Sequence, residues 1–260
     1  MIRSKALWRK TWLALWRKTW LESRTRFFGA LAMMMFVAGW DILDSAHGMS
    51  RFDRTPPITF TQYVAYLFQG NLQWVWVASV LLLGLGGLTR EDWLGTAQFT
   101  LTLPFRRRQW MQVRATLGLL QAAILALLPV LTVPLAARVV GRSYPIWEAF
   151  KFSGLLFAAG IIFFFGAVFR SSFLGGEFSA IAASGISALF AFTAQDYLYR
   201  WIPSFRFSYF NMSAFLGGYE LLDRATGLLG GWPWAGVVKI LCAAGVLFWT
   251  STAIIERRDF

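Results

Sequence analysis

The chain has 260 residues, of which 57% are hydrophobic, 18% aromatic and only 15% charged. Soluble domains carry about 25% charged residues, and several apolar runs here approach the roughly 20 residues a helix needs to cross the hydrocarbon core. A water-soluble globule is therefore excluded in favour of an integral, all-α membrane protein. The formal charge of +12 would suggest nucleic acid as the partner of a soluble protein. Here the basic residues stand between apolar runs, where they meet anionic lipid and set orientation, so membrane lipids and no nucleic acid are expected.

The N-terminus repeats one octapeptide, ALWRKTWL, at Ala6–Leu13 and Ala14–Leu21. Trp8, Trp12, Trp16 and Trp20 recur every four residues and form one broad stripe on a helix. Lys10, Arg17 and Lys18 fall largely off that stripe. Trp favours the headgroup level and Lys and Arg favour anionic lipid, so residues 1–26 are expected to be an amphipathic elbow helix along the inner leaflet. Eight residues are too few for a solenoid unit. The basic start ahead of Phe27–Gly39 imitates a signal peptide. Its leader is too long and no small-residue cleavage site follows, so it is expected to stay.

Six spans are expected within residues 27–260. The first runs from Phe27 to about Trp40, extended by Ile42 and Leu43. The second, Tyr63 to Leu88, starts with the polar Gln69, Asn71 and Gln73. The third, Ala115 to Ala137, contains Pro129 and Pro134, which a membrane helix tolerates where neighbours satisfy the freed carbonyls. Phe152–Phe169 and Phe178 to about Ala194 form a tight helical hairpin, and Ala235–Ile255 is the last span. Lys239 in its first turn can snorkel to the interface. Between the fifth and sixth spans, residues 196–234 form a long segment expected outside the cell, with one or two short amphipathic helices.

Positive charge orients these spans. With both termini cytoplasmic, sixteen Lys and Arg fall inside: eight in residues 1–26, five in 89–114, then Arg170, Arg257 and Arg258. Eight fall outside: Arg51, Arg54, Arg138, Arg142, Lys151, Arg200, Arg206 and Arg224. The ratio is a usable positive-inside signal, and the expected setting is a multi-pass protein of a bacterial-type plasma (inner) membrane with both termini cytoplasmic. It also places Thr89–Arg114 in the cytoplasm.

Chemistry is scarce elsewhere. Cys242 is the one cysteine and His47 the one histidine, which removes disulfides and most Ser-His and metal arrangements. Asp41, Asp44 and Asp53 belong to a solvated outer loop with Arg51 and Arg54. No GxxxxGK[ST] loop is present to cradle a nucleotide. Gly84, Gly86 and Gly87, and Gly175 and Gly176, read as packing or turn glycines. No catalytic residue, metal ligand or cofactor site is expected in this chain.

The polar passage Thr89–Arg114 carries the one ordered motif: Glu91-Asp92, then Gly95-Thr96, then Leu101 through Leu103-Pro104, and Arg106. This pattern resembles permeases of the type 2 ABC exporter family, which carry a Glu-rich, Gly-Thr, Leu-Pro-x-Arg segment between their second and third spans. The six-span order, the basic N-terminal elbow and the last span running into Glu256–Phe260 are similar too. Phe105 stands where the family often has a small polar residue, and Arg114 where it often has Lys.

The resemblance implies a non-catalytic permease that pairs with a second permease chain, identical or sister, and with cytoplasmic ABC ATPase subunits that use ATP and Mg. It also implies a coupling helix in residues 89–114, with Glu91, Asp92, Gly95, Thr96, Pro104 and Arg106 facing the ATPase. Acidic residues near a helix start favour its dipole, Gly95 permits close approach and Pro104 ends the segment. A substrate path between the two permeases would be lined from the second and fifth spans, with Gln69, Asn71, Gln73 and Ser184 as candidates. Ordinary interhelical hydrogen bonds explain those four equally well. The rival readings are an intramembrane lipid-modifying enzyme and a membrane scaffold that recruits a cytoplasmic complex.

Overall fold

The computed structural model describes residues 2–45, 58–85, 107–174, 177–201, 226 and 228–257, with the side chains of 2–11, 69, 177 and 191–201 left aside. These residues form seven α-helices and no strand: α1 Ile2–Leu43, α2 Phe60–Gln69, α3 Asn71–Gly84, α4 Arg107–Val139, α5 Ile146–Phe173, α6 Glu177–Trp201 and α7 Trp234–Arg257. Five stretches are long and apolar enough to cross a membrane: Trp12–Leu43, Phe60–Gly84, Arg107–Val139, Ile146–Phe173 and Trp234–Arg257. Within α6 a shorter apolar stretch covers Phe178–Phe190. An all-helical, multi-pass membrane protein follows from length and composition.

Helix α1 departs from the sequence expectation. Its 42 residues form one unbroken helix, about 60 Å long at 1.5 Å per residue, where an elbow at 1–26 and a separate span from Phe27 were expected. Hydropathy changes at Phe27, but nothing there ends a helix. Residues 2–43 contain no proline, and the hydroxyls of Thr19 and Ser23 donate back to the carbonyls of Leu15 (2.9 Å) and Thr19 (3.0 Å). Such back-bonding gives each hydroxyl a partner inside the helix, at a small cost that does not break it. The second expected span differs in the opposite sense. It is divided at Gly70 (φ −101°, ψ −116°) into α2 and α3, and α2 begins at a capping box between Thr59 and Gln62.

Helix α4 continues through Pro129 and Pro134. Helix α6 runs to Trp201, beyond the expected end near Ala194.

Helix α5 is the centre of the molecule. Its apolar window is 72% buried, against 28% for α1 and for α7, so α5 packs inside while α1 and α7 form the rim. It contacts α3, α4, α6 and α7, and α1 lies along α4 and α3. Close approach depends on small residues. A Cβ at Gly84 would stand 2.6 Å from the Phe164 carbonyl oxygen and 2.8 Å from Ala167 Cβ, and one at Gly160 would stand 2.6 Å from the Trp76 ring. Small residues at a crossing let membrane helices pack backbone to backbone, in keeping with Gly84 as a packing residue.

Trp76 is fully buried and its indole donates to the Leu156 carbonyl at 2.8 Å. Phe68 and Phe152 stack with centroids 4.6 Å apart.

These contacts give the helices a common direction. α3 and α5 run parallel, since Trp76 meets Leu156 and Gly160 while Gly84 meets Phe164 and Ala167. α1 and α4 run the other way, joined by Gln121 Nε2 donating to Ser23 Oγ at 2.8 Å. One end of the bundle therefore holds Leu85, Arg107, Phe173 and Ile255. The other holds Asp41, Phe60, Tyr144 and Leu229.

Candidate coupling end of the bundle

At the first end, arginines converge on helix C-termini. Arg26 of α1 donates through Nη1 to the carbonyls of Leu85 (2.6 Å) and Leu82 (3.3 Å). Arg114 of α4 donates through Nη2 to the same Leu85 carbonyl at 2.5 Å, and its guanidinium lies 5.6 Å from the Trp110 ring centroid. Arg107 donates to Ile255 (3.1 Å) at the end of α7. The last carbonyls of a helix have no partner within the helix and carry partial negative charge, so each cation caps the end of a helix other than its own. Three helices, α1, α3 and α4, are tied at one backbone oxygen.

Leu85 and Arg107 bound the segment that contains the motif. Both lie at this end, so the chain leaves and re-enters the described structure on the same side, within a collar of Arg26, Arg107 and Arg114. Glu91, Asp92, Gly95, Thr96, Pro104 and Arg106 themselves lie outside the described residues. Gly86 and Gly87, and the outer loop with His47 and Asp53, lie outside them as well.

The tryptophan stripe faces the protein. Trp12, Trp16 and Trp20 are half-buried and pack against the core, while Leu13, Ala14, Arg17 and Leu21 on the opposite side are exposed. Trp20 meets Phe27 and Phe28 at centroid distances of 5.8 and 6.3 Å. Trp8 belongs to α1, but its side chain lies outside the described residues.

The four candidate path residues do not come together. Asn71 is exposed at the second end, where its Nδ2 donates to Asp41 Oδ2 at 3.2 Å. Gln73 is buried in α3, and Gln69 is placed by its backbone alone, beside the break at Gly70. Ser184 of α6 is buried toward the first end and accepts from Arg170 Nε at 2.9 Å. Asn71 and Ser184 thus make interhelical hydrogen bonds at opposite ends of the bundle.

Gln121 and Glu148, which sequence reasoning passed over, and Lys151, which it used only as an outer charge, are central. Gln121 is almost fully buried and joins α4 to α1, and its Oε1 has no partner among the described residues. At the second end, Glu148 in the first turn of α5 is 7% exposed. Its carboxylate accepts from Lys151 Nζ at 2.7 Å and from the Leu229 backbone N–H at 2.9 Å. Lys151 Nζ also donates to the Leu229 carbonyl at 3.3 Å. One ion pair thus grips both polar groups of Leu229, just before α7.

Two further contacts fix the same strap. The Trp232 ring sits where a Cβ on Gly154 would stand, 2.5 Å away, and Thr61 Oγ1 donates to the Thr226 carbonyl at 2.7 Å. Tyr144 lies beside this clamp with its hydroxyl buried and unpartnered among the described residues. Burial first, and the Glu148 charge second, push that hydroxyl's pKa well above the ordinary 10. The i,i+3 spacing of Glu148 and Lys151 was the signal available in the sequence.

Among the described residues no three His, Cys, Asp or Glu side chains gather as a metal site. Comparison with protein-family models, with curated proteins and with solved structures finds no match.

Proposed function

We propose that this chain is the permease subunit of an ATP-driven transporter, an exporter on the strength of its resemblance, and that it docks cytoplasmic ATPase subunits through residues 89–114. The observation that carries the reading is the coincidence of motif and collar. The segment bearing Glu91, Gly95-Thr96 and Leu103-Pro104-Phe105-Arg106 starts and finishes at the end of the bundle where Arg26 and Arg114 share the Leu85 carbonyl. A partner that moves this segment pulls on α3 at Leu85, and through the two arginines on α1 and α4 together.

In this reading the chain is non-catalytic and binds no cofactor, and ATP and Mg act in the partner. Two permease chains enclose the path, and the rims of α1, α6 and α7 offer apolar faces for lipid or the second chain. Closing of the ATPases brings the docked segments together, and the helices respond as rigid bodies that switch access between the two sides. The N- and C-termini and residues 89–114 are cytoplasmic, and the Glu148–Lys151 clamp faces outward. Residues 196–234 then belong to the outer side, with the Leu229 strap at their close.

The test is Glu91→Arg in the full chain, affinity-tagged and purified from its own host's membranes. We expect at least a fivefold drop in co-purifying ATPase activity, with the variant inserted and as monodisperse as the parent. Equal co-purification and turnover in variant and parent would count decisively against docking at this segment.

A further inference from the structure

We propose that Arg170 and Ser184 form an anion site between α5 and α6, built for the phosphate or carboxylate of an amphiphile. A long cationic side chain in a membrane helix ordinarily extends toward the headgroups. Arg170 does the reverse. It stands one turn from the end of α5, yet its guanidinium lies back along the helix over Gly166, where a Cβ would meet Nη2 at 3.2 Å. From the other side, Nε donates to Ser184 Oγ at 2.9 Å, and Ser184 is 1% exposed. The guanidinium is thus fixed from both helices, about two turns inward from the hairpin that joins them.

Nη1 and Nη2 find no acceptor among the described residues, whereas Arg26 and Arg114 at the same end use theirs on the Leu85 carbonyl. The ionisable residues of the hairpin are few: Glu148 and Lys151 are engaged with each other at the far end of α5. Glu177 begins α6 seven positions before Ser184, about 10 Å along the helix, and Asp196 and Arg200 lie farther along it in the other direction.

A charge at this depth without an anion is costly, and ionisable groups inside membrane segments pair or mark ligand paths. With Nε occupied, the Nη1–Nη2 edge is the geometry that grips two oxygens of one phosphate or carboxylate. The side chain is half-buried and not enclosed, which leaves part of it open to a ligand. As a cargo site this rests on the permease reading; as a site for a membrane lipid it does not.

The test uses the full chain in a non-ionic detergent, with three probes: dioleoylphosphatidylglycerol, dioleoylphosphatidylcholine and inorganic phosphate. Binding is followed by native mass spectrometry and by the shift in thermal midpoint. We expect phosphatidylglycerol to bind the parent more tightly than phosphatidylcholine. Arg170→Gln should lose roughly tenfold in phosphatidylglycerol affinity, the scale of a charge-assisted hydrogen-bonded pair.

Ser184→Ala, which keeps the charge and frees its orientation, should lose less, and Arg138→Gln, at an exposed position of the opposite end, should lose nothing. Competition by millimolar phosphate identifies a soluble anion as sufficient; lipid binding without such competition identifies the headgroup. Equal binding by parent, Arg170→Gln and Ser184→Ala, or no preference of the parent for any anionic probe, overturns the site. ATPase co-purification is scored on the same variants, so a failed anion site with docking intact leaves the permease reading standing, and the converse leaves the anion site.

Discussion

The two ends of this bundle solve the same problem with opposite chemistry. Each must hold a chain segment against the helices. The first end does so with cations on carbonyl oxygens, Arg26 and Arg114 on Leu85 and Arg107 on Ile255. The second does so with a buried ion pair, Glu148 with Lys151, closed on the Leu229 peptide groups. A carbonyl caps a cation without cancelling its charge, so these bonds at the first end join cations to neutral backbone. The ion pair cancels, so the second end is locally neutral and depends on its own completeness. The difference teaches that the first end shares its backbone acceptors among several cations, whereas the second depends on one pair being complete.

The largest expected effect lies at the neutral end. Glu148→Ala leaves Lys151 without its acid and the Leu229 N–H without an acceptor, and should cost about 3 kcal/mol, read as a lowered unfolding free energy in detergent. Replacing both partners with apolar residues, Glu148→Leu with Lys151→Met, should recover most of that loss. A single variant as stable as the parent would show that the clamp holds nothing. At the cationic end the loss should be smaller, because Leu85 keeps one donor. Arg114→Met should cost about 1.5 kcal/mol and speed amide exchange in the last turn of α3. A cost above that of Glu148→Ala would invert the comparison.

The smallest effect belongs to Tyr144. Its raised pKa means that the folded protein retains a proton which the unfolded chain releases near pH 10. This contribution to stability is intact below pH 10 and declines as pH rises beyond it. Tyr144→Phe should change stability by less than about 1 kcal/mol at neutral pH and should flatten that alkaline decline. An unchanged alkaline slope would mean that another group sets it.

How much of this was legible in the sequence differs from residue to residue. The spans were readable because bilayer thickness imposes a length on any apolar run, and all five long stretches fall where such runs stand. The unity of α1 was not, because the step in hydropathy at Phe27 reports solvent preference, whereas helix continuity is decided by backbone propensity and capping. The break at Gly70 was hidden for the complementary reason: apolar character continues across it while the backbone turns.

Partnerships across long separations were the least readable. Glu148 and Lys151 show a pairing interval, but Leu229 is 81 positions from Glu148, and no local pattern announces it. Ser184 was legible as a polar residue in an apolar helix, and Arg170 as a lone cation in a hairpin. Their meeting depends on how α5 and α6 are set against each other.

The Leu85 carbonyl has one more property. An sp² oxygen offers two lone pairs, and Arg26 and Arg114 at 2.6 and 2.5 Å engage both. The joint is stoichiometrically full. A new donor that competes for that oxygen must displace one arginine from it, and a displaced Arg26 keeps the Leu82 carbonyl as its acceptor. Rearrangement there proceeds by exchange, one ligand for another, with the number of bonds at that oxygen conserved.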